Sequence, residues 1–273
     1  MSNIKKKYFM VIVLNLAIVV GFVSTFIIAK DHIKEILETS TLQISNKKIE
    51  WGIKRNKEHQ QPDVGIKNKK ILEENDGICM GNKEKKEIYI TFDNGYEAGY
   101  TAKILDTLKE NNVKAAFFIT AHYLNTAPEL VERMINEGHI VGNHTVNHKS
   151  MPEITDDEIK EEVMKLHQAV YEKFGYEMKY IRPPKGEFSE RTIILTNNLG
   201  YKHVMWSFAY VDWDEKKQPD EKEAKKMIMD NLHNGEIILL HGNSKTNAHI
   251  LNSIIQEIKE QEYEVKNIDE IML

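Results

Sequence analysis

The chain has a single cysteine, Cys79, in 273 residues. That excludes an intramolecular disulfide framework and any zinc site built from several thiolates. It also lacks an excess of basic charge. Lys and Arg number 37 against 42 Asp and Glu, for a net charge of −5 with neutral His, which excludes a generally basic nucleic-acid binder. No internal repeat is present. Apolar residues are not scarce, and a hydrophobic fraction of 41% excludes wholesale disorder. What charge there is divides unevenly. Up to residue 86 there are 16 basic and 10 acidic residues; beyond it there are 21 and 32. The first part is therefore +6 and the second −11, so the two parts are expected to do different jobs.

Residues 8–29 contain no Asp, Glu, Lys, Arg or His. As a helix this run would measure about 33 Å, enough to cross a hydrocarbon core of about 30 Å. Lys5, Lys6 and Lys7 precede it, and a short basic flank usually stays in the cytoplasm. Lys30 and Lys34 on the far side make the bias modest. The expectation is a cytoplasmic tip and transmembrane anchor over 1–29, single-pass in the cell membrane, with the rest of the chain extracytoplasmic. A cleaved signal peptide is the competing reading. Its apolar core would be shorter and would end at a small-x-small site, whereas Ile27 stands two residues before Ala29. Residues 30–86 read as a basic extracytoplasmic linker. Ile33 to Leu42 has the pattern of a short amphipathic helix, and one turn or strand is expected near Ile71–Met80.

From residue 87 short β-rich apolar runs alternate with amphipathic helical patterns. Strands are expected over Glu87–Phe92, Ala115–Thr120, Ile140–Asn143, Lys179–Arg182, His203–Phe208, Glu236–His241 and Tyr263–Val265. Helices are expected near Ala98–Asn111, Pro128–Glu137, Asp156–Phe174, Ser189–Leu199, Asp220–Leu232 and Asn247–Gln261. Thr155 with Glu158 reads as a capping box, and Gly138, Gly175, Gly200 and Gly235 follow helical segments as left-handed caps do. Seven strands alternating with six helices imply parallel βαβ units, either an open doubly wound sheet or a closed or nearly closed barrel. Either way the active site belongs at the C-terminal ends of the strands.

Ionisable groups recur at those ends. The first strand ends in Thr91-Phe92-Asp93-Asn94-Gly95 and the third runs into His144-Thr145-Val146-Asn147-His148. The fourth ends in Arg182-Pro183-Pro184-Lys185-Gly186, the fifth is followed by Asp212-Trp213, and the sixth closes on Leu239-Leu240-His241. Taken singly, each has an ordinary structural reading: a helix cap for Asp93, surface or core positions for the two His, an ion pair for Arg182, packing for Trp213. Taken together, an acid, two His, an Arg, a second acid and a third His point to a metal-assisted hydrolase.

These five segments, in this order, resemble the polysaccharide deacetylase family, the NodB-homology hydrolases. The likeness covers residues 87–273. Thr91 to Glu97, Gly138 to His144, Arg182 to Gly186 and Ala209 to Trp213 are most similar to one branch, the delta-lactam-biosynthetic de-N-acetylases of spore-forming bacteria. The resemblance implies a distorted (β/α) barrel with about seven strands. It implies removal of the acetyl group from N-acetylmuramic acid lacking its peptide, on the way to muramic delta-lactam in spore cortex peptidoglycan. It gives Asp93 the role of general base and His241 that of general acid, with Arg182 orienting Asp93 and Asp212 orienting His241. His144, His148 and Asn94 would ligate a divalent metal, zinc being the expected one. Tyr96, Lys185 and Trp213 would meet the sugar, and the Lys185 backbone would help hold the oxyanion. The implied partner is a peptidoglycan glycan strand; no nucleic-acid or protein partner is evident. The sequence departs from the family pattern at Asn94, where an Asp ligand is usual, at Lys185, where Tyr is common, and at Ala209, where an Asp often stands. Competing readings are a membrane-anchored deacetylase of N-acetylglucosamine or chitooligosaccharides, a catalytically dead sugar-binding module, and a structural membrane protein.

Overall fold

The computed structural model describes residues 44–271, together with Lys30 upstream. A compact unit begins at Asn46. Its elements in chain order are β1 (Ile49–Glu50), α1 (Ile66–Glu73), β2 (Glu87–Asn94), α2 (Thr101–Glu110), β3 (Ala116–Ile119), α3 (Ala121–Thr126), α4 (Pro128–Asn136), β4 (Ile140–Asn143) and α5 (Asp156–Phe174). Then follow β5 (Tyr180–Ile181), β6 (Glu187–Phe188), α6 (Glu190–Asn198), β7 (Lys202–His203), α7 (Glu221–Asp230), β8 (Glu236–His241), α8 (Lys245–Glu260) and β9 (Glu264–Lys266).

Helix boundaries follow local chemistry. Thr155 and Glu158 form a reciprocal capping box at the start of α5, and Gly175 ends that helix at φ 65°. Both ends fall where the sequence places them. Without a Cβ, glycine takes this left-handed turn at little cost.

Seven parallel strands form an α/β half-barrel in the order β7-β5-β4-β3-β2-β8, with β9 beside the first residues of β2. β3 and β9 share one edge of β2, and β8 takes the other. The fifth expected strand, over His203–Phe208, resolves into two pieces. Lys202 and His203 pair with β5. The chain then crosses the barrel, and Phe208 bridges to Ile238 of β8. One segment therefore spans the gap between the two edges.

Strand alternation divides the core. Ile88, Ile90 and Phe92 of β2 face outward to a helix-covered cluster with Leu105, Leu108 and Ile255. Tyr89 faces inward to a smaller cluster with Phe118, Tyr180 and Val204. Thr91 and Asp93 continue the inward parity of Tyr89, whereas Asn94 continues the outward parity.

The linker expectation needs correction over 46–86. β1 pairs antiparallel with β6, directly after the Arg-Pro-Pro segment. Trp51 is buried, its backbone N–H donates to Gly186 O at 2.9 Å, and its indole Nε1 donates to Trp206 O at 3.0 Å. Val64, Leu72 and Cys79 are buried in the same cluster. These anchors are isolated among exposed polar residues, so no local periodicity announces them. Among the described residues no helix is long and apolar enough to cross a membrane. The expected anchor over 8–29 and the expected helix over Ile33–Leu42 lie outside the described residues.

Candidate active site

The half-barrel brings the strand ends to one level. In the parallel register, Asp93 stands beside His241 on one side and Phe118 on the other. Asn94, Ile119, Asn143 and Ile181 form the next paired row. A cavity of about 930 Å³ opens here, lined by Asp93, His144, His148 and His241 among others.

Asp93 is the centre of a buried charge pair. Arg182 is fully buried inside the barrel, and its Nη1 donates to Asp93 Oδ1 at 2.8 Å. Its other donors are also occupied: Nη2 reaches Thr91 Oγ1 at 2.9 Å and Nε reaches Val204 O at 2.9 Å. Its guanidinium carbon lies 4.2 Å from the Phe118 ring centroid. A buried ion pair of this kind holds only when its remaining donors are satisfied, as they are here. Burial pushes the Asp93 carboxyl up, but Arg182, His144 and His241 outweigh it and hold the carboxyl below its usual range. Asp93 is therefore ionised at neutral pH.

His144 approaches the free carboxylate oxygen, and His148 approaches His144. His144 Nδ1 lies 2.8 Å from Arg182 O, which assigns it the proton, since a carbonyl only accepts. His144 Nε2 is thus left with its lone pair, 3.5 Å from Asp93 Oδ2 and 3.1 Å from His148 Nε2. Burial lowers the pKa of both, that of His148 to about 4. Two neutral imidazoles with facing Nε2 atoms are a donor set suited to a divalent ion. The turn that delivers them is strained. Thr145 is fully buried at φ 67° and His148 sits at φ 55°. Asn143 Oδ1 accepts from Thr145 N at 2.8 Å, and Thr145 Oγ1 accepts from His148 N at 3.1 Å, which holds the turn. Left-handed backbone at a β-branched residue is uncommon and clusters at functional sites.

Asn94 does not join the pair. It is fully buried, its Nδ2 donates to Thr101 Oγ1 at 3.2 Å, and it does not line the cavity. Its Oδ1 has no hydrogen-bond partner among the described residues. The outward parity of position 94 turns the amide toward α2 and Gly242 rather than toward the His pair. The ligand role expected of Asn94 is corrected accordingly. Among the described residues no ready-made group of three or more His, Cys, Asp or Glu is arranged around a common metal position, and the two imidazoles are the facing donors the cleft presents.

His241 is set up as an acid. Its Nδ1 lies 2.7 Å from Asp212 Oδ1, and its backbone N–H donates to Asp212 Oδ2 at 2.9 Å. Asp212 is fully buried. Burial works against a proton on His241, but the Asp212 charge and hydrogen bond outweigh it and the pKa is raised. Asn247, at the start of α8, donates to Asp212 Oδ2 at 2.6 Å and accepts from Tyr210.

Of the expected sugar contacts, Trp213 is half exposed, with its ring centroid 5.3 Å from that of His241. Asn243 donates to Tyr96 Oη at 2.6 Å and to Trp213 O at 3.0 Å, which ties the two aromatic residues together. Lys185 lines the cavity from a left-handed turn at φ 59°. Sequence reasoning missed Thr91, Asn243 and Asn247. Thr91 shares the inward parity of Asp93 and was findable on that signal. Asn243 and Asn247 follow the Leu-x-His segment closely, but a polar residue opening a helix is ordinary.

Comparison with known proteins agrees with this geometry. The family model described as polysaccharide deacetylase matches residues 80–204. The peptidoglycan-N-acetylmuramic acid deacetylase PdaA of Bacillus subtilis is 42% identical over 230 residues, covering 84% of this chain and 88% of that one. The solved structure of that family 4 carbohydrate esterase superposes with a TM-score of 0.81 over 84% of this chain and 98% of its own. A family 4 carbohydrate esterase from Bacillus anthracis superposes with a TM-score of 0.71 at 40% identity, covering 84% of this chain and 97% of its own. A peptidoglycan-N-acetylglucosamine deacetylase of Bacillus cereus is 34% identical over 183 residues, 66% of each chain. Deacetylases of this family are generally metal-dependent. With an ionised carboxylate, two facing imidazoles and an acid-relay histidine at the strand ends, the chain belongs to the polysaccharide deacetylases, hydrolases that cleave the amide of N-acetylated glycans.

Proposed function

We propose that the cleft removes the acetyl group from N-acetylmuramic acid residues of peptidoglycan, as the name of the Bacillus subtilis relative states for that protein. The observation that carries this is the level pairing of Asp93 with His241, each backed by an opposite charge. Asp93, ionised through Arg182, takes a proton from the attacking water through its free Oδ2. His241, protonated through Asp212, gives its Nε2 proton to the departing sugar nitrogen. Acetate and a muramic amine are the products. Arg182 lowers the pKa of the base and Asp212 raises that of the acid, so each group is biased toward the charge state that its step requires.

His144 and His148 would hold the divalent ion, in our reading zinc. Bound there, it supplies Lewis acidity toward the acetyl carbonyl and toward water. Trp213 and Tyr96, linked through Asn243, offer apolar surface to the sugar ring, and the Lys185 turn presents backbone toward the developing oxyanion. In the same reading the catalytic unit works outside the cytoplasm, with the uncharged run over 8–29 as its tether. Conversion of the muramic amine to delta-lactam, and hence a role in spore cortex, extends the same reading.

The deciding experiment supplies peptide-stripped glycan strands to the protein with zinc and locates the lost acetyl groups by mass spectrometry. Loss from muramic residues supports the proposal. Loss confined to glucosamine residues would replace it with an N-acetylglucosamine deacetylase.

A further inference from the structure

One cation in the cleft has no part in the chemistry above. Arg55 comes from the segment ahead of β2, yet it lines the same cavity as Asp93 and His241. Its Nη2 donates to Ala209 O at 2.8 Å, and its guanidinium carbon lies 5.1 Å from the centroid of the buried Phe208 ring. The side chain is therefore fixed from two directions against the stretch that leads to Asp212. An arginine carries five N–H donors in a planar fork, and the one contact to Ala209 leaves most of them available.

The surroundings do not neutralise it. No salt bridge to Arg55 is present among the described residues. Glu236 feels its charge, but burial raises the Glu236 pKa well above the usual carboxylate range and so disfavours a charge there. Ala209, Tyr210, Val211 and Met227 contribute uncharged lining to the same cavity. An arginine held in place by a carbonyl and an aromatic face, without an acidic partner, is arranged to receive an anion.

A muramic residue differs from a glucosamine residue by a lactyl ether that ends in a carboxylate. That carboxylate is free where the stem peptide has been removed and is an amide where the peptide is attached. We propose that Arg55 is the specificity residue of the cleft and takes this lactyl carboxylate, so that peptide-free muramic residues are preferred. The inference rests on the muramic reading of the substrate and names the residue that enforces it.

The test uses the full chain with zinc and two substrates: peptide-stripped glycan strands, and the same strands with the lactyl carboxylates converted to methyl amides. Acetate release is measured for the wild type, Arg55→Gln and Arg55→Lys. The wild type should favour the free acid by about 10- to 100-fold in kcat/KM, the range of a charge-assisted hydrogen bond. In Arg55→Gln the ratio should collapse toward one, through KM rather than kcat, with the thermal midpoint unchanged. Arg55→Lys should recover part of the preference. An equal ratio in wild type and Arg55→Gln, or no preference in the wild type, overturns the assignment of Arg55 while leaving the muramic reading intact. Acetate released by the wild type only from glucosamine residues overturns the muramic reading itself.

Discussion

Asp93 and His241 are register partners on adjacent parallel strands, with their charge-setting partners, Arg182 and Asp212, behind them. Neighbouring strands lie about 4.8 Å apart, so register pairing brings base and acid side by side at the mouth of the same cavity. The order of events in the chain is thus built into strand pairing rather than into mobile loops.

Replacing Asp93 by Asn should cut acetate release by about 10²- to 10⁴-fold, the usual worth of a general base. It should also destabilise the fold. Arg182 is fully buried, and Asp93 is the carboxylate paired with it. Removing that charge strands a guanidinium, at a cost of about 3–5 kcal/mol. Urea denaturation and an acetate assay on the same preparation check both halves. Full activity would sink the assignment of the base.

The pH profile of kcat/KM should be a broad bell. Asp93 has a lowered pKa, so its base form is lost only as pH falls below the ordinary carboxylate range. His241 has a raised pKa, so its acid form is lost only as pH rises above the ordinary imidazole range. In Asp212→Asn its raising influence disappears, leaving burial and Arg182 against the charge of Asp93 alone, so the alkaline limb should move to lower pH. A limb that stays in place would remove Asp212 from the relay.

Zinc affinity should depend on His144 and His148 but not on position 94. Either His→Ala change should weaken binding by about tenfold or more, since each removes one of two imidazole donors. Asn94→Asp should leave affinity nearly unchanged in a zinc titration, because that side chain faces Thr101. It should lower stability instead, by burying a carboxylate without a cation. Tighter zinc binding in Asn94→Asp would restore position 94 as a ligand.

Trp51→Ala should cost about 3–5 kcal/mol of stability, the range for a large buried aromatic. Trp51 packs 6.2 Å from Phe188, centroid to centroid, and donates to Trp206 O. A chemical-denaturation midpoint identical to the wild type would show that the segment ahead of β2 is dispensable for folding.

Legibility in the sequence varied with the kind of signal. β4, α5 and β8 have the bounds expected of them, because β-rich runs, a capping box and a terminal glycine act locally. The strand-end motifs also converge, since parallel strands must deliver their C-terminal ends to one side. Three features were not legible. The packing of residues 46–86 depends on single anchors such as Trp51 and Leu72, whose partners are distant in sequence. The orientation of Asn94 depends on β2 continuing two residues past Phe92, which keeps strand parity through the motif. Arg55 reaches the cleft only because Phe208 and Ala209 cross the barrel to meet it.

That crossing segment closes the barrel over a short stretch. β2 and β8 share six register positions, whereas the crossing segment meets β8 around Phe208, where Ser207 and Phe208 donate to Ile237 O and Phe208 O accepts from Leu239 N. Four residues further on, the same segment carries Asp212. The support of the proton donor therefore travels with this seam: whatever parts Phe208 from β8 also draws Asp212 away from His241. Catalytic output is then a report on the closure of one seam of the fold.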